Sequence, residues 1–93
     1  MSIKKSKITV STSSSVDVID ITDEVNRCLK QSGVKEGLAH LFVPGSTAAL
    51  TTIEYESGVV NDLKKAIERM APQHISYEHD RKWGDGNGHA HVR

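Results

Sequence analysis

The residues best equipped for chemistry lie in the last fifteen positions, His79-Asp80-Arg81-Lys82-Trp83-Gly84-Asp85-Gly86-Asn87-Gly88-His89-Ala90-His91-Val92-Arg93. This stretch holds three of the five histidines, the only tryptophan and three of the seven glycines. If Gly88 to Arg93 is extended, its side chains alternate between two faces. His89, His91 and Arg93 then share one face, and Ala90 and Val92 share the other. Imidazoles at i and i+2 of a strand stand about 6–7 Å apart at the backbone, near enough to reach one metal ion. His79 could return across the glycine loop as a third ligand. The plainer reading is also open: two histidines on an exposed strand can be no more than solvated polar residues. Asp85-Gly86 and Asn87-Gly88 are turn dipeptides suited to an ordinary hairpin. The argument for a site is that histidines, two acids (Asp80, Asp85) and three cations (Arg81, Lys82, Arg93) collect on one loop.

Other reactive side chains are more scattered. Glu54 closes a run that otherwise reads as strand, as either a surface carboxylate or a site acid. His40 sits in the apolar run Leu38 to Val43, where a packed, hydrogen-bonded core histidine is the natural reading. His74 has no evident partner and reads as exposed and inert. Cys28, the single cysteine, rules out an intrachain disulfide and falls on the inner stripe of a helix, where a buried thiol is the natural reading and a catalytic cysteine the alternative.

The elements that must position these groups follow from periodicity. Ile3 to Ser13 and Val16 to Ile21 alternate as short strands. Thr22 reads as an N-cap, followed by Asp23 and Glu24 in the first turn. Ile21, Val25, Cys28 and Leu29 make one helical face, and Gly33 stops it. Leu38 to Val43 reads as a covered central strand, and Pro44-Gly45-Ser46-Thr47 breaks it. Ala48 to Glu56 is a further strand and Ser57-Gly58 a turn. Val59 to Ala71 is the clearest helix, with Val59, Val60, Leu63, Ala66, Ile67, Met70 and Ala71 inward, and Pro72 ends it. Strands, helix and strands again predict an α+β fold: a mixed or antiparallel, sandwich-like sheet with two amphipathic helices.

Ninety-three residues, 37% of them apolar, allow one domain with a limited core that oligomerisation would help. Twelve basic and twelve acidic side chains leave no net charge, which argues against nucleic-acid binding through bulk electrostatics. No apolar run approaches the ~20 residues that span a bilayer. The N-terminal residues lack the apolar core of a signal peptide, so a soluble, cytoplasmic protein is expected.

The segments Leu41-Phe42-Val43-Pro44-Gly45-Ser46-Thr47-Ala48-Ala49-Leu50-Thr51-Thr52-Ile53-Glu54, Tyr77-Glu78-His79-Asp80 and Gly88-His89-Ala90-His91-Val92-Arg93 together resemble the YjbQ family, titled secondary thiamine-phosphate synthase. The resemblance runs from the first strand to the last residue, so residues 1–93 are expected to be one YjbQ-like domain. It implies an α+β sandwich-like fold, a homotrimer, and a polar site between subunits that commonly carries a metal. The activity it implies joins hydroxymethylpyrimidine diphosphate to a thiazole phosphate with release of pyrophosphate. Many members carry a histidine where this chain has Gly45, and the His89/His91 pair is expected to compensate. Members also continue through further strands, so the chain is expected to be C-terminally shortened relative to the family. On this basis His79, His89 and His91 are expected to bind a divalent ion, Zn²⁺ by preference. Ser46, Thr47 and Arg93 would bind substrate phosphates, and Glu54, His79 and Asp80 would orient an imidazole or move a proton. The competing expectation is a non-enzymatic metal- or phosphate-binding or assembly module with a vestigial site.

Overall fold

The computed structural model describes residues 2–14 and 16–93. The described chain contains four helices and no strand, in the order α1 (Thr22–Ser32), α2 (Ser57–Met70), α3 (Glu78–Trp83) and α4 (Gly88–Val92). It divides into two units, Met1–His40 and Leu41–Arg93.

The expected α+β sheet is therefore replaced by helices and irregular chain. Alternation tells which side chains would share a face if a segment were extended, but it does not supply the neighbour that accepts the ladder hydrogen bonds. Among the described residues, 3–13, 16–21, 38–43 and 48–56 have no such ladder. Leu38, expected inside a covered strand, is 97% exposed, Phe42 is 77% exposed, and His40 is exposed rather than packed in a core.

In the first unit, α1 forms where the sequence places it, and its start differs in detail. Ile21 is the N-cap residue and offers no side-chain cap. Thr22, expected to cap, instead gives its own amide and hydroxyl to Asp20 Oδ1 at 2.9 and 2.5 Å. That pair of donors holds the Asp20 carboxyl below its ordinary value, the hydroxyl having the larger effect. Asp23 and Glu24 occupy the first turn and Lys30 the last, matching the helix dipole. Gly33 closes the helix in the left-handed conformation at φ 73°, its amide reaching Lys30 O, a geometry that a β-carbon would strain. Cys28 is half-buried, and with Glu24, Arg27 and Gln31 it lines a cleft against Lys7, Ile8 and Thr9.

In the second unit, α2 starts two residues before the expected Val59. Glu56 makes the difference: its side chain accepts from the amides of Gly58 and Val59 at 2.8 and 2.9 Å, so Ser57-Gly58 becomes a first helical turn instead of a bend. Two amide donors on one carboxylate hold Glu56 below its ordinary value, Gly58 contributing most. The apolar stripe of α2 is half-buried at Val59, Val60, Leu63, Ala66 and Ile67, whereas Met70 is exposed. Ala71 follows the helix and is 3% exposed, the one buried apolar side chain among the described residues. Pro72 cannot continue the helix. Its carbonyl accepts the Tyr77 hydroxyl at 2.5 Å, and the Gln73 amide bonds back to Glu68 Oε1 at 3.0 Å. These two bonds fold the chain sharply after α2.

The last stretch is the largest departure from expectation. Gly88 to Arg93 is a single helical turn instead of a strand, with amides of Ala90 and His91 bonded to Asn87 O and that of Arg93 to His89 O. A second short helix, α3, precedes it, starting at an extended Tyr77 and ended by Gly84 at φ 70°. The glycine loop thus joins two helices that pack on each other and is not a β-hairpin.

Candidate site on the paired short helices

α3 presents His79 and Asp80 at adjacent positions, and the loop beyond Gly84 returns Asp85 toward them. His79 Nδ1 lies 3.3 Å from Asp85 Oδ1 and 3.6 Å from Asp80 Oδ1. Both are ion-pair distances, yet the nitrogen is buried with no hydrogen bond of acceptable direction. One nitrogen and two carboxylate oxygens thus face one another, all within 4.8 Å. Ligands at zinc-like bond lengths of roughly 2.0–2.2 Å in tetrahedral array stand on the order of 3.4 Å apart. The two histidine–carboxylate spacings are close to that figure, and one imidazole with two carboxylates is a donor set that divalent ions accept.

α4 brings the other two histidines to different places. On a helix, residues two apart point almost oppositely, so the shared His89/His91 face expected of a strand does not form. His89 is 6% exposed, its ring 6.5 Å from that of Tyr77, and its Nδ1 is buried without a partner. His91 is exposed, and its ring lies 4.6 Å from that of His79 with the planes 40° apart. Its Nδ1 is 3.2 Å from Ser46 Oγ, a contact across 45 residues of sequence. The structure therefore brings together His79, His91 and Ser46, adds Asp80 and Asp85, and leaves His89 on the Tyr77 side.

Asp80 has a second task. Its Oδ1 accepts the Gly88 amide at 2.7 Å, fastening the first residue of α4 to α3. A β-carbon on Gly88 would stand 2.6 Å from Tyr77 Cβ and 2.9 Å from that same oxygen. Glycine is needed here for close approach, since its φ is not among the positive ones.

The remaining predicted residues lie away from the cluster or are otherwise engaged. Arg93, only 12% exposed at its side chain, donates from Nε to Ala71 O at 3.0 Å and from Nη2 to Glu68 Oε2 at 2.6 Å. Glu54 is exposed and has no side-chain hydrogen bond or ion pair among the described residues. Thr47 is exposed beside Ser46, in the bend that follows Gly45 at φ 111°. His74 is exposed. The sequence placed Asp85 among the acids of the loop without making it a ligand, and gave Glu68 no part in the site. The role of Asp85 as a ligand candidate rests on the turn, since a residue between Gly84 and Gly86 comes back to His79. Glu68 carried no such signal, since it reads as one more charged residue on the solvent side of α2.

The described residues thus carry a histidine–carboxylate cluster on two short helices and the loop between them. The match with known proteins narrows this. Residues 6–93 match the family described as UPF0047 protein YjbQ-like. A UPF0047 protein of Archaeoglobus fulgidus is 36% identical over 87 residues, covering 94% of this chain and 65% of that protein. A second, of Methanothermobacter thermautotrophicus, is 32% identical over 93 residues, covering the whole chain and 64% of the relative. The chain belongs to the YjbQ (UPF0047) family and spans a little under two thirds of these curated relatives. No solved structure gives a significant match. No helix among the described residues is long and apolar enough to cross a membrane.

Proposed function

We propose that this protein is a metal-assisted transferase of phosphorylated small molecules, its divalent ion held by His79, Asp80 and Asp85 with His91 at the rim. The observation that carries the reading is the buried, unbonded His79 Nδ1 facing two carboxylates at 3.3 and 3.6 Å. A nitrogen in that position needs either a proton aimed at an oxygen or a cation shared with both. The donor set of one imidazole and two carboxylates suits Zn²⁺ or another borderline ion. Bound there, the ion would offset negative charge on a diphosphate leaving group.

The chain's own residues supply the rest. Asp80 holds the Gly88 amide and so keeps α4 close. Ser46 and Thr47, in the bend after Gly45, offer hydroxyl donors to phosphate oxygens, and Ser46 is already in reach of His91 Nδ1. The specific reaction we assign, joining hydroxymethylpyrimidine diphosphate to thiazole phosphate with loss of pyrophosphate, and the homotrimer as working assembly are what the sequence resemblance implies. Exposed apolar side chains at Phe42, Leu50 and Tyr55 support association.

The test is a titration with Co²⁺ followed by the coupled reaction of both phosphorylated substrates. One ion per chain in the wild type, lost in His79→Ala and in Asp85→Asn, is expected. Equal metal content in all three would end the ligand assignment.

A second reading has its own observation. Arg93, the expected phosphate partner, is committed to Glu68 and the Ala71 carbonyl. This favours a metal- or phosphate-binding module without turnover. Metal uptake with no reaction above the rate in buffered metal would decide for it.

A further inference from the structure

We infer that Glu68 is a positioning residue for the histidine cluster, acting through Arg93 to hold α4 in place. The inference rests on the reading of His79, Asp80 and Asp85 as a cation site with His91 beside it.

α4 is one turn long, far below the length at which a helix is stable on its own. Something outside must hold both of its ends. The first end is held by Asp80, through the Gly88 amide at 2.7 Å. The other end is held by Arg93, the residue that follows Val92. Its guanidinium spans the Ala71 carbonyl and the Glu68 carboxylate, at 3.0 and 2.6 Å. A charged donor and charged acceptor at the shorter distance make the strongest kind of hydrogen bond, and the Arg93 side chain is largely buried.

Glu68 is the pivot of this arrangement because each of its oxygens does separate work. Oε1 accepts the Gln73 amide, which fixes the turn after α2. Oε2 accepts Arg93, which fixes the end of α4. One side chain on α2 therefore ties the helix, its exit turn and α4 together. Its ion pair among the described residues is with Arg93, while its effect falls on His91, two residues earlier. His91 must stay where its ring meets His79 at 4.6 Å and its Nδ1 meets Ser46 at 3.2 Å. Rotation or fraying of a one-turn helix would break both contacts. Residues that orient a metal site from outside typically change its affinity 10–100-fold.

The experiment compares wild type, Glu68→Gln and Glu68→Lys. Gln keeps an acceptor for Gln73 but weakens the Arg93 pair. Lys repels Arg93 while favouring the α2 helix. Three readouts are taken: Co²⁺ affinity, ring-to-ring NOE cross-peaks between His79 and His91, and helicity by circular dichroism. The expected result is a Co²⁺ Kd raised about 10-fold or more in Glu68→Lys, with a smaller rise in Glu68→Gln. The His79–His91 cross-peaks should be lost in Glu68→Lys while the helical signal of α2 persists. Wild-type cross-peaks and affinity in Glu68→Lys would overturn the proposal. If Glu68→Lys loses α2 itself, Arg93→Gln decides, because it breaks the same pair, together with the bond to Ala71 O, and leaves every residue of α2 unchanged; retained cross-peaks there overturn the proposal equally. If the wild type takes up no Co²⁺, the cation reading fails, and the cross-peaks alone then judge whether Glu68 positions His91.

Discussion

Replacing Gly88 by alanine puts a single methyl group where the two short helices meet. The new carbon would stand 2.6 Å from Tyr77 Cβ and 2.9 Å from Asp80 Oδ1. The first of these is the more serious, because Tyr77 Cβ is fixed by the backbone and cannot swing aside as a side-chain tip can. To restore ordinary contact, α4 must move away from α3 by the better part of an ångström. Such overpacking costs about 1–3 kcal/mol. The same movement stretches the 2.7 Å bond from the Gly88 amide to Asp80, a bond to a charged acceptor worth about 1.5–3 kcal/mol. The two terms overlap, since one displacement produces both, so about 2–3 kcal/mol is the expected loss. At 4–8 °C per kcal/mol for a domain of this size, Tm should fall by roughly 10–20 °C. Gly86→Ala is the matched control: φ is +67° there, with nothing within 4 Å of the added carbon. It pays for a left-handed alanine alone, about 1–2 kcal/mol. Thermal unfolding followed at 222 nm, with a Co²⁺ titration of each variant, separates the cases. Gly88→Ala should lose both stability and ion affinity, and Gly86→Ala should lose less of each. A Gly88→Ala protein as stable as wild type and no weaker for Co²⁺ would show that α3 and α4 do not pack as described.

Further outcomes follow from single contacts. Glu56 and Glu68 both have carboxyls held below the ordinary 4.5, in each case chiefly by a backbone amide, Gly58 for Glu56 and Gln73 for Glu68. A lowered folded value means their contribution is fully present above 4.5 and is lost as pH falls through the folded values. The helicity of α2 should therefore decline on acidification below about 4.5, and Glu56→Gln should flatten that decline; an acid limb unchanged in Glu56→Gln would remove the cap from the account. Tyr77→Phe deletes the hydroxyl bonded to Pro72 O at 2.5 Å and should cost about 1 kcal/mol in chemical denaturation, with the slope unchanged. Wild-type stability there would mean that the turn after α2 is held without it.

The sequence was most informative where a local signal decided the outcome by itself. Gly33 in the left-handed region and the acids opening α1 were legible because caps act within one turn. The stripe of α2 was legible because thirteen residues of period 3.6 outweigh any neighbour. The same kind of signal marked α3, with Glu78 and Asp80 early, Arg81 and Lys82 late, and Gly84 beyond. It went unread because six residues carry no apolar stripe. The strands failed for a different reason. Ile8 and Val10, or Leu38 to Val43, state a preference for a pleated surface, and that preference is realised only against a partner. In Gly88–Arg93 two readings competed directly, and the winner was decided from outside the segment. Alternation favoured a strand with His89 and His91 on one face. Asp80 at one end and Glu68 at the other favoured a helical turn, and neither is near in sequence to the residue it holds.

This bears on how the site itself is to be read. Had Gly88–Arg93 been a strand, His89 and His91 would be equivalent candidates, and removing either would weaken an ion similarly. As a helical turn it makes them unequal. His91 is exposed, 4.6 Å from the His79 ring and bonded to Ser46, whereas His89 is buried by Tyr77 with an unbonded Nδ1. His91→Ala should therefore lower ion affinity with little loss of stability. His89→Ala should do the opposite, opening space beside Tyr77 and costing stability first. Parallel Co²⁺ titrations and thermal melts of the two variants read this directly. Equal losses of affinity with equal stability would restore the strand-like arrangement and remove the distinction between the two histidines.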